Sequence, residues 1–404
     1  MTTKKEGAAI KVRLFLFVVA LGVFLTGCDQ AAPAPETAPA TEIAEPAIPS
    51  APPSYASAMD TLRPLGRIEG AVDNEKEAIA AATAGDFSEA VSYARDTGGY
   101  ALLVWQGGAL QVETYFSGHD AEIRAESASM HKSVVSLTVM AALTDGAIAS
   151  VDDPVGTYIP EWADDARGQI TIKQLLTMTS GLARYSFEGG PTSPGAQYVL
   201  DGAHARASTL ALSIEHEPGT RFEYSNQVSQ LLLMVVEAAT GIPYERYLSE
   251  KIWQPIGADD AFVWLNEEDG FPRAYTGLLA RPLDWLKIGQ LYKDGGAANG
   301  EQIIAPEILD QAIAASDRNP NYGWQVWRGG TYEPKRYYDE DKTGVSFGAS
   351  APYAVDDMVF FDGFGGQRVY ISRDKDLVIV RLGDARMDWD DAILPNLVLG
   401  VLGD

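Results

Sequence analysis

The stretch Ser129-Met130-His131-Lys132 stands at the start of an apolar run that continues to Leu143. Residues three positions apart are neighbours on a helix, so the Lys132 amine can reach the Ser129 hydroxyl. A serine hydroxyl is a weak nucleophile until a base takes its proton, and a lysine can be that base where burial keeps it partly neutral. The helix macrodipole would also favour negative charge developing at Ser129. The pattern therefore predicts a nucleophile and its base one helical turn apart.

An S-x-x-K pattern also has a simpler interpretation. Serine is a preferred helix N-cap, so an isolated match is ordinarily a capping serine followed by a solvated lysine. Both residue types are common, and a chain of 404 residues is expected to contain such a match by chance. The catalytic interpretation therefore depends on partner motifs further along the chain.

A second motif lies at residues 217–226. Pro218-Gly219 predicts a turn, and Tyr224 and Asn226 follow just before another apolar run. A phenol near a lysine can pass protons, and an amide can hydrogen-bond a substrate carbonyl. The alternative is a buried tyrosine beside an N-capping asparagine.

A third motif is the glycine-rich segment 362–367, which lies between two apolar strand patterns and predicts a hairpin. Gly365 and Gly366 would let a backbone approach a ligand closely. Backbone N–H groups on such an edge can hold the oxyanion of an acyl-transfer intermediate. An ordinary glycine-rich hairpin is the alternative.

In this order, the three motifs resemble those of the serine β-lactamase and penicillin-binding-protein superfamily. Segments 146–155, 170–182 and 218–226 are similar to its class C-related branch, which contains esterases, D-amino-acid peptidases and 6-aminohexanoate-dimer hydrolases. The resemblance covers roughly residues 75–400. It implies an α+β (α/β) fold of the β-lactamase/transpeptidase type, with an antiparallel sheet flanked by helices and a mostly helical subdomain.

Carried over residue by residue, the resemblance implies that Ser129 is the acylated nucleophile, Lys132 its base and Tyr224 the proton relay. The backbone N–H groups of Ser129 and Gln367 would form the oxyanion hole, and Asn226 would orient the substrate. Loop aromatics are candidates either for a substrate pocket or for the core: Tyr185, Phe187, Trp264, Tyr322, Trp324 and Trp327. From these interpretations we take four substrate-binding candidates: Asn226, Gly365, Gly366 and Tyr185.

Two positions depart from the family pattern. Phe364 stands where the third motif ordinarily begins with a lysine or histidine, a cation that helps to hold the substrate carboxylate in lactamases and peptidases. The absence of this cation favours a neutral ester or amide as substrate. Met178 replaces the usual histidine of segment 170–182, which resembles the nylon-oligomer hydrolases, and we interpret it as a packing change.

A competing nucleophile is Ser346, within the G-x-S-x-G match at residues 344–348. That motif needs a buried strand before it and a helix after it, but residues 337–342 are polar and Pro352 argues against a helix. A triad would also need a later histidine, whereas the last histidine is His216. We therefore reject this site.

Histidine spacing gives no metal motif, so no metal and no cofactor is expected. His131 lies inside S-x-x-K but on another helix face, and we interpret it as a packing residue. The formal net charge of −25 argues against nucleic acid as a partner. The expected partners are a small ester or amide substrate and a membrane.

The membrane prediction comes from the N-terminus. Basic residues precede an apolar run, Leu14 to Phe24, that is too short to span a bilayer securely and predicts a secretory signal. The following Leu25-Thr26-Gly27-Cys28 resembles the bacterial lipobox, which implies cleavage before Cys28 and lipidation of that cysteine. A plain signal anchor is the alternative.

The predicted organisation has three parts: a signal peptide over 1–27, a tether rich in proline and alanine over 28–58, and a hydrolase domain over 59–404. The protein would then be an exported bacterial lipoprotein on the periplasmic face of a membrane. Within the domain we expect helices over 74–95 and 388–402, mostly helices and loops over 130–315, and strands over 100–106, 109–116, 358–361, 367–373 and 377–382.

Three functions stay open from the sequence. The first is a serine hydrolase that cleaves ester or amide bonds through an acyl-enzyme. The second is a penicillin-recognising D,D-peptidase or β-lactamase. The third is a non-catalytic binding lipoprotein, against which the presence of Ser129, Lys132 and Tyr224 together argues.

Overall fold

The structure is a computed structural model, and it describes residues 64–71, 81, 85–187, 192–200, 204–267 and 270–403. The strands in these ranges are β1 Leu65–Ile68, β2 Gly99–Gln106, β3 Ala109–Tyr115, β4 Ala125–Glu126, β5 Ala261–Trp264, β6 Leu278–Ala280, β7 Ala297–Ala298, β8 Glu301–Gln302, β9 Trp327–Arg328, β10 Lys335–Tyr337, β11 Ser346–Gly348, β12 Val359–Gly363, β13 Gln367–Ser372 and β14 Leu377–Gly383.

The α-helices in the same ranges are α1 Ser88–Asp96, α2 Met130–Thr144, α3 Ile172–Leu176, α4 Pro194–Leu200, α5 Ala205–Leu210, α6 Asn226–Thr240, α7 Tyr244–Leu248, α8 Pro282–Lys293, α9 Pro306–Ile313 and α10 Ile393–Leu402. Short 3₁₀ turns cover Val155–Thr157, Pro160–Trp162 and Ala166–Gln169, and a π-helical turn follows α7 at Ser249–Trp253.

The main sheet has six strands in the order β3-β2-β14-β13-β12-β9, and all its neighbours are antiparallel. The chain thus joins an early hairpin, β2–β3, to the late strands β12–β14. A second, four-stranded antiparallel sheet has the order β1-β5-β6-β4. Its last strand, β4, leads directly to the helix that carries Ser129 and Lys132.

Helices cover both faces of the main sheet. Val369 and Val378 face α8, where Gly289 lets the helix backbone come close to them. Arg368 and Arg381 point to the other face, since side chains alternate along a strand, and there they contact the Trp389 ring. Because both faces of the sheet are covered, β13 and β14 are buried along their whole length.

The helix that carries the S-x-x-K motif is buried almost throughout. From Met130 to Ala142 every residue of α2 is buried, and α2 packs against α6 and β12. A helix that is apolar on all sides belongs in a protein interior. Its polar residues Lys132 and Ser133 are therefore taken out of water together with the apolar ones.

The structure confirms the predicted fold class, a mixed fold with an antiparallel sheet completed by both ends of the domain. The predicted hairpin and the three late strands are present within a residue or two. The four-stranded sheet is missing from the prediction, because strands as short as β4 and β6 show no period and pair with partners far away in the sequence. Residues 130–315, predicted to be mostly helix and loop, therefore also contain the short strands β5 to β8.

The predicted helix boundaries also need correction. The C-terminal helix begins at Ile393 instead of 388, because the Asp390 carboxylate accepts the N–H groups of Ala392 and Ile393. The helix predicted over 74–95 is seen as α1 from Ser88, and residues 72–80 and 82–84 lie outside the described residues.

The predicted signal peptide over 1–27, Cys28 and the tether over 28–58 also lie outside the described residues, and they stay predictions. Within the described ranges, no helix has the length and apolar content needed to cross a membrane.

The close contact between α8 and the sheet gives a stability prediction. A Cβ at Gly289 would lie 2.5 Å from Val378 Cγ1 and 3.0 Å from Val369 Cγ1. We expect Gly289→Val to lower the free energy of unfolding by about 1–3 kcal/mol, because the added atoms overpack a buried contact. Denaturant unfolding would measure it.

The matched control is Gly400→Ala on α10, where a Cβ would meet no atom within 4 Å. Alanine is the better helix former, so this change should raise the free energy of unfolding by about 0.5–1 kcal/mol. If Gly289→Val is as stable as the natural protein, α8 does not pack as closely as the structure indicates.

Candidate active site

The turn between β4 and α2 presents Ser129. Ala128 has φ +48, a left-handed conformation that alanine adopts rarely, and Ser129 follows it in the helical region at φ −71. Although Ser129 occupies the N-cap position, its side chain makes no capping hydrogen bond. The capping interpretation of this serine is therefore wrong, and its hydroxyl is directed elsewhere.

The hydroxyl of Ser129 meets the amine of Lys132. The Nζ–Oγ distance is 3.1 Å, as the spacing on the helix predicts. The backbone N–H of Ser129 makes no hydrogen bond with any described residue. A free N–H at the N-terminus of a helix is suited to hold negative charge next to the nucleophile.

Lys132 is buried, with only 1% of its surface exposed, and its amine is held by two carbonyl groups. Nζ donates to Asn226 Oδ1 at 2.7 Å and to the Tyr275 carbonyl oxygen at 3.0 Å. A neutral amine has two N–H groups and one lone pair. Because both carbonyl oxygens can only accept, the lone pair is left for the third neighbour, the Ser129 hydroxyl.

Burial sets the charge state of this amine. Desolvation lowers the pKa of Lys132 to about 7, although the carboxylates of Asp362 and Glu126 act in the opposite direction. Half of the lysine is therefore neutral near pH 7. A lysine in bulk water would be almost fully protonated there and could not take a proton from serine.

Tyr224 lies beside both groups. Its ring centroid is 4.9 Å from Lys132 Nζ, and its side chain is close enough to Ser129 for that residue to lower its pKa. Burial, followed by the nearby Tyr322 and Asp362, raises the pKa of Tyr224 well above 10, and Ser129 only partly offsets this. Tyr224 is thus a neutral phenol at physiological pH, suited to relay a proton rather than to act as the resting base.

Met178 fixes the backbone on both sides of Tyr224. Its carbonyl oxygen accepts the Glu223 N–H at 2.9 Å, and its sulfur accepts the Ser225 N–H at 3.4 Å. Met178 is buried and has a left-handed φ of +57. The sequence indicated a packing role for this residue, and the contacts show that the packing also holds the tyrosine in place.

Asn226 begins α6, one residue after its N-cap, Ser225. Because its Oδ1 atom accepts from Lys132, its Nδ2 group is the one that could reach a substrate carbonyl. The Asn226 amide is thus a hydrogen-bond partner of Lys132. This contact was not anticipated from the sequence, in which Asn226 was a candidate for substrate orientation only.

The glycine-rich hairpin lies against the turn before the nucleophile. A Cβ on Gly363 would fall 2.5 Å from the Ser127 carbonyl oxygen. Gly365 packs against Ala385, and Gly366 against the Trp389 ring, at distances that leave no room for a side chain. The two candidate glycines are thus required by contacts with the C-terminal segment, and their role towards a substrate stays a prediction.

Gln367 begins β13 opposite Gly363. Its side chain is engaged with Gly383, whose N–H donates to Gln367 Oε1 at 2.9 Å and whose carbonyl accepts from Nε2. Only the backbone of Gln367 could therefore serve an oxyanion, and that role stays a prediction. Phe364, at the tip of the hairpin, is 45% exposed.

Tyr185 is half-buried and belongs to a row of rings that leads to the lysine. It contacts Tyr198 edge-on with ring centroids 5.6 Å apart, and Tyr198 stacks on Tyr275 at 4.8 Å. Tyr275 is the residue whose carbonyl oxygen holds Lys132. Of the other loop aromatics considered, Phe187 is exposed, and these are core residues: Trp264, Tyr322, Trp324 and Trp327.

His131 is a buried packing residue, as the sequence indicated. Its ring nitrogens contact the Thr276 carbonyl oxygen at 3.0 Å and the Tyr244 hydroxyl at 2.9 Å. Burial lowers its pKa to about 4, so the ring is neutral at pH 7. The rejected Ser346 lies at the start of β11, paired with β10, and not between a strand and a helix. Among the described residues, no cluster could hold a metal ion.

A buried ionic cluster behind Tyr224 was missed by sequence reasoning. Asp362 accepts two hydrogen bonds from Arg336, each at 3.0 Å, and one from the Tyr338 hydroxyl at 2.6 Å, and it pairs with Arg368 at 2.8 Å. Burial opposes ionisation, but the two guanidinium groups hold the pKa of Asp362 below its usual value. Each partner lies 26 positions or fewer from Asp362, yet no spacing in the sequence marks these residues as a cluster.

Comparison with known proteins places the chain. The Beta-lactamase family profile matches residues 75–386. The chain belongs to the β-lactamase family. This confirms the superfamily that the three motifs indicated.

Within the β-lactamase family, the chain is 26% identical over 227 residues to the 6-aminohexanoate-dimer hydrolase of Paenarthrobacter ureafaciens, covering 54% of this chain and 58% of that protein. It is 31% identical over 160 residues to esterase EstB of Burkholderia gladioli, covering 37% and 40% of the two chains. The matches thus span less than two thirds of the length of these relatives.

A solved structure from Bacillus anthracis, provisionally assigned as a 6-aminohexanoate-dimer hydrolase, has the same fold. Its TM-score to this chain is 0.68 at 20% sequence identity, and the superposition covers 84% of this chain and 89% of that one. At this identity the likeness establishes the fold alone.

The pKa of Lys132 predicts the pH dependence of any reaction that uses it as a base. Below its pKa of about 7 the amine is protonated and cannot accept a proton. We expect kcat/KM for an ester substrate to fall about tenfold per pH unit on the acid side of pH 7. Rate measurements from about pH 5 to about pH 9 would show this acid limb.

Two features make this test specific. His131, with a pKa of about 4, cannot produce a limb near pH 7. Glu237, whose pKa burial raises to about 7, lies at the far end of α6, so Glu237→Gln should leave the limb in place. A rate that stays level down to pH 5 would show that Lys132 is not the base.

Proposed function

We propose that this chain is a serine hydrolase that cleaves neutral ester or amide bonds through an acyl-enzyme on Ser129. The supporting observation is the hydrogen-bond geometry of Lys132. Nζ lies 3.1 Å from Ser129 Oγ and donates to two carbonyl oxygens, so in the neutral amine, whose two N–H groups they take up, the lone pair is left for the Ser129 hydroxyl. Desolvation keeps a large fraction of this amine neutral at pH 7.

The first half of the reaction follows from this arrangement. The Ser129 hydroxyl gives its proton to Lys132 Nζ as Oγ bonds to the carbonyl carbon of the substrate. The negative charge on the former carbonyl oxygen is held by the N–H groups of Ser129 and Gln367. The proton then passes by way of Tyr224 to the leaving oxygen or nitrogen, whose bond to carbon breaks, and the acyl group stays on Oγ.

The second half is the same sequence with water in place of the serine. Water gives a proton to Lys132, and its oxygen bonds to the acyl carbon. The carbon–Oγ bond breaks, and the proton returns to Ser129. Because a buried amine returns to its neutral form in each half, one lysine serves both steps.

Aromatic rings on both sides of the lysine indicate the substrate class. On one side are Tyr275, Tyr198 and Tyr185, in successive ring contact. Lys132 Nζ lies 5.8 Å from the Tyr275 ring centroid, so this row starts at the catalytic amine. Tyr275 and Tyr198 are buried, so Tyr185 is the ring of this row that could contact a substrate, and a ring favours an apolar group over a charged one.

The other side is a second row of rings. Tyr224 contacts Tyr338 at 5.0 Å, Tyr338 contacts Phe347 at 6.3 Å, and Phe347 contacts the exposed Phe364 at 6.0 Å. Phe364 occupies the place of the cation that binds a carboxylate in lactamases and peptidases. We therefore propose that the groups on both sides of the scissile bond are uncharged.

The family relatives support the same reaction class, since one is named a 6-aminohexanoate-dimer hydrolase and another an esterase. The second candidate is a penicillin-recognising peptidase or β-lactamase, which the family name favours. The two candidates differ in whether the substrate carries a carboxylate beside the reacting carbonyl.

The decisive test of the nucleophile is Ser129→Ala. Without the hydroxyl no acyl-enzyme can form, so we expect kcat for short-chain p-nitrophenyl esters to fall by at least about 10³-fold. Mass spectrometry of the natural protein quenched during turnover should show one acyl group, on the peptide that contains Ser129.

The natural protein and Ser129→Ala are then compared on nitrocefin, a D-Ala-D-Ala peptide and a linear amide dimer. Ester or amide turnover that exceeds nitrocefin turnover supports the first candidate, and the reverse supports the second. If every activity survives Ser129→Ala, the nucleophile is a different residue. If neither the natural protein nor Ser129→Ala hydrolyses any member of the panel, the non-catalytic interpretation replaces both enzymatic candidates.

The substrate class is tested at Phe364. We expect Phe364→Lys to raise kcat/KM for nitrocefin relative to a neutral ester by about tenfold or more, since a charge-assisted hydrogen bond to a carboxylate contributes about 1.5–3 kcal/mol. The matched control is Phe364→Leu, which keeps the site uncharged and should leave the ratio unchanged. An unchanged ratio in the lysine variant would show that this position does not face the substrate.

A further inference from the structure

Glu126 is a buried carboxylate that the proposed reaction does not use. It ends β4, three residues before Ser129, and only 5% of its surface is exposed. Burying a carboxylate is costly unless hydrogen bonds compensate for the lost water. The position and the cost together indicate a specific role.

One oxygen of this carboxylate takes three hydrogen bonds. Oε1 accepts from the Ala128 N–H at 2.9 Å, from the Thr276 hydroxyl at 2.6 Å and from the Gly277 N–H at 2.6 Å. The hydrogen bonds from Thr276 and Gly277 are short, and both donors belong to a different segment of the chain. Glu126 is therefore a junction between that segment and the turn that carries the nucleophile.

The turn needs such support. Ala128 is in the left-handed region at φ +48, a conformation that is unfavourable for a residue with a Cβ unless its surroundings enforce it. The bond from the Ala128 N–H to Glu126 closes a loop around this residue. The direction in which Ser129 leaves the turn follows from that conformation.

The other end of the junction holds the base. Thr276 and Gly277 directly follow Tyr275, whose carbonyl oxygen accepts from Lys132 Nζ. The Thr276 carbonyl oxygen contacts His131, which lies on the same helix as Lys132. The Ser127 N–H donates to the Leu278 carbonyl oxygen at 3.1 Å. The segment 275–278 therefore touches the active-site helix and the turn at several points.

We propose that Glu126 is a positioning residue for the acyl transfer, because it fixes the turn carrying Ser129 to the segment that orients Lys132. This role rests on the proposed function. Glu126 does not touch the reacting atoms. It fixes the turn that carries Ser129 relative to the segment whose Tyr275 carbonyl oxygen accepts from Lys132 Nζ.

Two variants of similar shape separate this role from simple packing. Glu126→Gln keeps an oxygen that can accept the three hydrogen bonds, whereas Glu126→Met fills the space without a strong acceptor. We expect Glu126→Met to lower kcat for a p-nitrophenyl ester about 10²-fold, with KM changed less than about threefold, because small misplacements of reacting groups have effects of this size. Glu126→Gln should retain kcat within about tenfold of the natural protein.

A milder variant covers the case in which Glu126→Met does not fold. Thr276→Val removes one of the three donors and should lower kcat by about three- to tenfold at unchanged KM. The control pair is Glu237→Gln and Glu237→Met, at a partly buried carboxylate that accepts the Tyr244 N–H at 2.9 Å far from the site. Both control variants should keep the natural kcat, even where the thermal midpoint falls.

The outcomes are distinct. A natural kcat in Glu126→Met or in Thr276→Val, or a Glu126→Gln variant as slow as Glu126→Met, overturns the positioning role. In those cases an inactive Ser129→Ala still leaves the proposed function intact. An active Ser129→Ala overturns the proposed function itself, and the positioning role with it.

Discussion

The structure depends on one buried amine. Lys132 is removed from water on a helix that is buried almost throughout, and its hydrogen-bond partners are two carbonyl oxygens and one hydroxyl. An ammonium ion in that place would be poorly solvated, so burial moves the proton equilibrium towards the neutral amine. The packing that buries α2 therefore also sets the protonation equilibrium of Lys132.

The remaining elements hold the partners of this amine. The four-stranded sheet brings β6 beside β4, and the segment before β6 supplies the Tyr275 carbonyl. Helix α6 supplies Asn226 at its first residue, and Met178 fixes the strand-like backbone around Tyr224. Each partner comes from a different part of the chain. The distances among them therefore depend on the packing of the whole domain.

Charge is arranged around the site in two layers. The groups nearest the Ser129 hydroxyl are neutral at pH 7 in large part: an amine with a lowered pKa and a phenol with a raised one. Behind them lie ionised groups, with Asp362 held between Arg336 and Arg368. The ionic layer is compensated internally, because the Asp362 carboxylate pairs with both guanidinium groups.

Much of this could be predicted from the sequence because the signals are local. The helical spacing of Ser129 and Lys132, the turn before Tyr224 and the late hairpin each involve neighbouring residues with a clear period or turn residue. The sequence also excluded the G-x-S-x-G match, since the flanking residues could not form the strand and helix that it needs. The short strands β4 and β6 could not be predicted, because two or three residues carry no period.

The sequence by itself determined which residues could react and that the helix carrying them would be buried. Only the tertiary structure decided that the Tyr275 carbonyl and the Asn226 amide meet Lys132, that Glu126 joins the nucleophile turn to residues 276–277, and that Met178 supports Tyr224. The reason is physical: these contacts join residues 47 to 151 positions apart or use backbone carbonyls, which every residue has. A backbone group is selected by where the fold places it, and no side-chain pattern in the sequence can mark it.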